Sequence, residues 1–179
     1  MSLLDDVSIV VTPNGYKAGE LYAVIPVPSE GAELVTNGDF SNGTTDWTPN
    51  SAATLSIDTG RLKIAISGSG SGYAHQTFTI ESGKQYKCTG TIDFGTASQM
   101  RFYVSNTGQF FDITQSGNFD FTFTSTGTST QVRLYTYGDG NYGFWDNVSV
   151  KEYTSADMDV TRNTAATRVD ENGLVNYAE

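Results

Sequence analysis

Through the middle of this chain the side chains alternate with a period of two, and no other regularity competes with it. Leu62, Ile64 and Ile66 share one side against Arg61, Lys63 and Ala65. Tyr86, Cys88, Gly90, Ile92 and Phe94 alternate with Lys87, Thr89, Thr91 and Asp93. The same holds for Met100, Phe102 and Val104 against Arg101, Tyr103 and Ser105, and for Val132, Leu134 and Thr136 against Arg133, Tyr135 and Tyr137. Phe119, Phe121 and Phe123 form a further single-sided row. Gly- and Ser-rich turns separate these runs. Such a pattern belongs to antiparallel strands with one face buried and the other wet. No window carries apolar residues at helical spacing, and Thr, Ser, Gly and aromatics are poor helix formers. Each inward Phe, Leu or Ile contributes roughly 1.5–3 kcal/mol when buried, so two sheets can close over one core. The expected fold is all-β, an antiparallel β-sandwich of jelly-roll type, with a small β-rich unit at the two ends of the chain.

That end unit follows from a change of pattern. Residues 1–31 hold two β-prone runs, VSIVV and ELYAVIPV, about a Pro13-Asn14-Gly15 turn, a hairpin expectation. Two strands alone are marginal in water. The tail, 154–179, is polar, with a turn expected at Asp170-Glu171-Asn172-Gly173 before Leu174 and Val175. The expected organisation is therefore an N-terminal segment over 1–31, the jelly roll over 32–153, and a C-terminal continuation of the flanking unit over 154–179. An insertion of this kind is tolerated where a host loop brings its ends together.

Charge and cysteine usage exclude several functions. Twenty acidic residues against ten basic ones give a net charge of −10, which repels nucleic-acid phosphates and anionic membranes. Nothing approaches the ~20 apolar residues that cross a bilayer, so neither nucleic acid nor membrane insertion is expected. The N-terminus lacks the basic start and long apolar run of a secretory signal, which implies synthesis in a cytoplasm and release as part of something larger. A lone cysteine, Cys88, permits no internal disulfide and no Cys-based zinc cage. It reads as a small buried hydrophobe.

The two ends of the alternating region carry a resemblance. ELVTNGDFSNGTTDWT at 33–48 and GFWDNVSVKEY at 143–153 resemble the galactose-binding-like carbohydrate-binding modules of families four and nine. Those begin with an Asn-Gly-x-Phe motif, continue to a Trp and finish on an Asp-Asn/Asp-Val strand. GYAHQTFTIESGKQYKCTG is similar to their central pattern. The flanks, MSLLDDVSIVVTPNGYKAGELYAVIP and ADMDVTRNTAATRVDENGLV, resemble stretches of tailed-bacteriophage virion proteins, in tail, fibre or head-decoration subunits. In such proteins the second stretch often follows the first directly, and the chain often continues past it. The resemblances imply a non-enzymatic virion protein that displays a sugar-binding β-sandwich toward host-surface polysaccharide or glycan. They imply other virion proteins as partners, and a homo-oligomer is expected. The alternatives are a purely architectural decoration or spacer, and an ancillary module of a polysaccharide-degrading enzyme.

Catalysis has no foothold in the residues. His75 is the single histidine, no Gly-x-Ser-x-Gly elbow is present, and nothing sets two of Asp93, Asp112, Asp120 and Asp139 face to face as a glycosidase pair. Sugar binding asks instead for flat aromatics beside hydrogen-bonding side chains. With the apolar rows pointing inward, Tyr73, His75, Arg101, Tyr103, Arg133, Tyr135 and Tyr137 fall on an outward face. Tyr142 and Trp145 join them as expected ligand contacts from the GDGNYG loop and the strand after it; Trp47 is expected in the core or at its rim. The other reading of the tyrosines is that they lie across a solvated sheet and stabilise cross-strand pairs. The resemblance further implies a structural calcium held by Asp39 and Asp146, with Asn37 as a carbonyl donor. Family members often carry Glu after the Phe, where this chain has Ser41.

Overall fold

The computed structural model describes residues 28–68 and 70–155, together with the strands Ala166–Val169 and Val175–Ala178. Residues 29–154 form one compact unit, an all-β sandwich with no helix among the described residues. Its first sheet runs β3 (Ala53–Asp58), β4 (Arg61–Ile66), β11 (Tyr142–Thr154), β6 (Gln85–Asp93), β9 (Gly117–Thr124), and β1 (Ser29–Glu33) pairs with the far end of β11. Its second runs β2 (Thr48–Pro49), β5 (Ser71–Thr79), β10 (Ser129–Tyr137), β7 (Gln99–Val104), β8 (Gln109–Ile113). Every pairing is antiparallel.

The alternation read from sequence is the alternation of burial. Leu62, Ile64, Cys88, Ile92, Met100, Phe102, Val104, Val132 and Leu134 are all within 2% of complete burial, while their neighbours along each strand face outward. Phe119 and Phe123 are buried with them, and Phe121 packs against the same core. Burial pushes the Cys88 thiol well above its ordinary value. It is an inert part of the packing.

The sandwich closes where the segment before β2 meets β11. Asn37 builds the turn from its own side chain: Nδ2 donates to the carbonyls of Gly43 and Thr45 at 2.9 and 2.8 Å, and Oδ1 accepts from the Asn42 amide at 3.0 Å. Phe40 is buried despite a φ of 53°, a conformation that an aromatic residue adopts only where its surroundings impose it. Its ring packs on Trp47 at 5.7 Å, and Trp47 Nε1 donates to the Asn37 carbonyl at 3.1 Å. Trp47 therefore lies in the core. The Val148 amide donates to the Gly38 carbonyl at 2.9 Å. Glu33 accepts the Val150 amide at 2.9 Å, along with the amides of Leu34 and Val35.

One feature of β11 inverts the expected parity. The register against β6 shifts between Asp146 and Ser149, and Asn147 in that gap takes a φ of 50°. A bulge adds one residue, and one residue reverses every side chain before it. Val148 and Val150 point inward as their alternation implies, but so does Trp145, at 0% exposure. Its indole lies edge-on to Phe119 at 5.8 Å. Trp145 is a core residue, contrary to its expected place among the ligand contacts.

Outside the sandwich, β12 (Ala166–Val169) and β13 (Val175–Ala178) pair as an antiparallel hairpin, flanking the turn expected at 170–173. The hairpin expected within residues 1–31 lies outside the described residues.

Candidate functional site

The outer face of the second sheet carries the aromatic cluster. Register sets it out in rows across the strands. His75 on β5 stands beside Arg133 on β10, then Tyr103 on β7, then Phe110 on β8. In the next row Tyr73, Tyr135, Arg101 and Asp112 follow in the same order. Tyr137 and Gln99 pair beyond them. Seven of the nine expected contacts, namely Tyr73, His75, Arg101, Tyr103, Arg133, Tyr135 and Tyr137, thus share one surface. Trp145 is buried beneath the other sheet's face. Tyr142 opens β11 on that other sheet, paired to Ala65 with Lys63 Nζ 4.0 Å from its ring; it does not belong to this surface.

The rings touch one another. Tyr73 and Tyr135 lie 4.7 Å apart between centroids, Tyr135 and Tyr137 5.7 Å, and Tyr103 and Phe110 4.8 Å. Arg133 sits between Tyr73 and Tyr103, its guanidinium carbon 5.1 Å from each ring centre. Arg101 lies 4.6 Å from Phe110 and 5.5 Å from Tyr137. Phe110 is 55% exposed, a large apolar ring that folding leaves in water. Sequence reading passed over it, although Tyr103 and Phe110 face each other across a hairpin whose turn, Asn106-Thr107-Gly108, is legible.

Electrostatics divide the polar groups of this face. Arg101 and Asp112 form a two-pronged ion pair, with Nη2 donating to Oδ2 at 3.0 Å and Nε donating to Oδ1, and Gln99 Nε2 donates to Oδ1 at 2.9 Å. The hydrogen bonds from Arg101 hold the Asp112 carboxyl below its ordinary range. Asp112 is about half exposed, so the pair positions more than it stabilises. Asp112 is the carboxylate that the strands of this sheet place on the face, and it is engaged. Asp93 and Asp120 lie on β6 and β9 of the other sheet, bound to Arg61 and Lys87, and Asp139 accepts the Gly70 amide. The four candidate carboxylates make no facing pair.

Burial, and then the neighbouring Arg133 charge, push the His75 imidazole below its ordinary 6.5. A lowered imidazole pKa means the folded chain prefers the neutral ring. Its contribution to stability is present above 6.5 and is lost as pH falls toward the lower folded value. As the chain's one histidine it gives an unobscured NMR titration. That titration is expected below 6.5, and Arg133→Gln is expected to move it upward; a midpoint at or above 6.5 in the parent chain refutes the arrangement.

The expected calcium ligands are partly engaged within the protein. Calcium takes six to eight oxygens. The Asn37 carbonyl already accepts from Phe40 and Trp47, its side-chain oxygen accepts from Asn42, and Asp39 accepts from both the amide and hydroxyl of Ser41. Asp146 Oδ1 accepts the next amide, that of Asn147. No group of three or more acidic, histidine or cysteine side chains gathers as a metal site among the described residues.

Two residues that hold this architecture went unread in the sequence. Gln76 points inward from β5, accepting the Thr36 amide at 2.8 Å and donating to the carbonyls of Thr36 and Asp46 at 3.0 and 3.3 Å. Glu33 performs the matching task against β11.

No protein-family model and no curated protein matches the chain. Solved structures do. The module titled for CBM4 structure and function superposes with a TM-score of 0.54 at 18% identity, over 65% of this chain and 98% of that one. The TmCBM61 module, solved in complex with β-1,4-galactotriose, gives 0.51 at 13% identity, over 67% and 98%. The fold is that of a carbohydrate-binding module. The enzymatically active domain of tailspike protein 4 from bacteriophage CBA120 gives 0.54 at 11% identity over 67% of this chain; the chain spans about a fifth of that domain's length, 21%.

Proposed function

We propose that residues 29–154 are a non-catalytic glycan-binding module, in the manner of families four and nine, displayed by a tailed-bacteriophage virion protein for attachment to host-surface polysaccharide. The observation that carries it is the outward cluster of Tyr73, Tyr103, Phe110, Tyr135 and Tyr137, interleaved with Arg101 and Arg133. Flat rings cover the apolar faces of sugars, while guanidinium and carboxamide edges reach hydroxyls. The particle setting is supported by the sequence of the two flanks and by the tailspike among the structural neighbours. Copies assembled on a particle would convert weak single sites into firm adhesion.

The test replaces Tyr103, Phe110 and Tyr135 together by Ala in the full chain and screens both proteins on a glycan array. These positions are outward, so the variant is expected to keep the parent far-UV spectrum while losing its glycan signal at least about ten-fold. A parent chain that binds nothing overturns the proposal. So does a folded variant that binds as well as the parent, which would make the cluster a device of sheet stability.

A further inference from the structure

We infer that the glycan bound on this face is acidic, its carboxylate taken by Arg133. The inference deepens the proposed function and rests on it.

The chain holds twice as many acids as bases, so a cation without a carboxylate is out of the ordinary. Arg61, Lys84, Lys87, Arg101 and Lys151 each hold an Asp or Glu within 3.5 Å. Among the described residues Lys63 and Arg133 hold none. Lys63 stands on the other sheet, over Tyr142. Arg133 stands in the middle of the aromatic face, on the central strand of its sheet.

Its setting presents the guanidinium while limiting its motion. Tyr73 and Tyr103 flank it, Nε donates to Gln131 Oε1 at 2.6 Å, and Nη1 donates to the Tyr135 hydroxyl at 3.3 Å. A guanidinium has five N–H donors. Among the described residues both hydrogens of Nη2 and one of Nη1 have no partner, and the end edge of the guanidinium, away from Nε, is formed by one hydrogen from each of these two nitrogens. Two parallel N–H groups on one edge match the two oxygens of a carboxylate. A hydroxyl would use that edge singly and leave the charge unanswered. The stacked rings lower the entropic cost of fixing the side chain, and their negative faces stabilise its charge without neutralising it.

The chain's overall charge of −10 does not forbid a polyanion at this place. Asp93 and Asp120 on the far sheet are paired with Arg61 and Lys87 and face solvent on the opposite side of the sandwich. They lie more than the ~10 Å between stacked sheets away, so they act only weakly here. On the near face the one strand carboxylate, Asp112, is already neutralised by Arg101. The local field is that of Arg133. A uronic-acid polymer supplies both parts of the complement, sugar rings for the tyrosines and a carboxylate for the free edge.

The test uses the full chain with paired probes: polygalacturonate, alginate and hyaluronate, each beside its carboxyl-reduced neutral form, with neutral glucan, xylan and galactan alongside. At least one uronate polymer is expected to bind, its reduced partner at least about ten-fold more weakly. Raising NaCl from about 0.05 to about 0.5 M is expected to narrow the gap. Arg133→Gln should abolish the preference for the acidic form, and Arg133→Lys, which keeps charge but loses the two-pronged edge, should retain only part of it. Both variants are expected to keep the parent far-UV spectrum, since position 133 lies on the outer face of the sheet. Equal binding to both members of each pair, or binding to neutral polymers only, overturns the acidic ligand and leaves the glycan-binding reading standing. Binding to no polymer at all overturns that reading and this inference with it.

Discussion

Trp145→Ala is expected to destabilise the sandwich by about 3–5 kcal/mol, the usual cost of removing a buried aromatic side chain. Trp145 is wholly buried between the registers of Leu62 on β4 and Ile92 on β6, with Phe119 edge-on to it. None of these neighbours can collapse into the space without moving its own strand, so the cavity persists. Domains of this size are stable by only about 5–15 kcal/mol, and the loss should be plain as a lower urea midpoint with an unchanged slope. Trp145→Phe should cost much less. The smaller ring keeps most of the packing, and it removes an indole N–H that has no partner in the described structure, a burial that costs about 1–3 kcal/mol. Glycan binding by the folded fraction should be unaffected in both variants. The core assignment fails if Trp145→Ala keeps its urea midpoint and loses binding instead, for that is how a ligand contact behaves.

The same residue shows where sequence stops being informative. Period-two alternation carries the side of the sheet on which a residue lies, and it placed Tyr73, His75, Arg101, Tyr103, Arg133, Tyr135 and Tyr137 together because their strands are regular. It cannot carry parity through a bulge. Counting back from Val148 and Val150 sends Trp145 outward; the extra residue at Asn147 sends it in. The clue was the Asp146-Asn147 pair, since Asn accepts positive φ more readily than most residues. Nor does alternation carry strand order. Tyr142 is expected from its loop rather than from alternation, and it does stand half-exposed, but on the first sheet, because β11 lies between β4 and β6. Polar residues that point inward are harder still. Gln76 is explained only by the loop it clamps, forty residues earlier in the chain, and no local pattern announces such a partner. The family resemblance supplied the meeting of the two ends, yet the calcium it implied has its carbonyl donor engaged within the loop. Ser41, standing where relatives often carry Glu, donates to Asp39 from both its amide and its hydroxyl.

Gly38→Ala tests that meeting of the ends directly, and a loss of about 3 kcal/mol is expected, the upper end of what overpacking costs. Gly38 is not in a left-handed conformation, so its need for glycine is one of space. A Cβ built there falls 2.0 Å from the Val148 carbonyl oxygen and 3.1 Å from its carbon. The obstacle is backbone, which cannot rotate aside as a side chain would. Relief requires β11 to withdraw, which strains the Val148 amide bond to the Gly38 carbonyl and pulls Ser149 and Val150 from Glu33. Gly43→Ala is the matched control. Its φ is 66° with nothing within 4 Å of a new Cβ, so it carries only the conformational penalty, about 1–2 kcal/mol. Urea midpoints should therefore rank parent above Gly43→Ala above Gly38→Ala, and hydrogen exchange at the Val148 amide should quicken in the last alone. Should Gly38→Ala prove no worse than Gly43→Ala, the two ends are not in contact as described, and the closure of the sandwich must be sought elsewhere along β11.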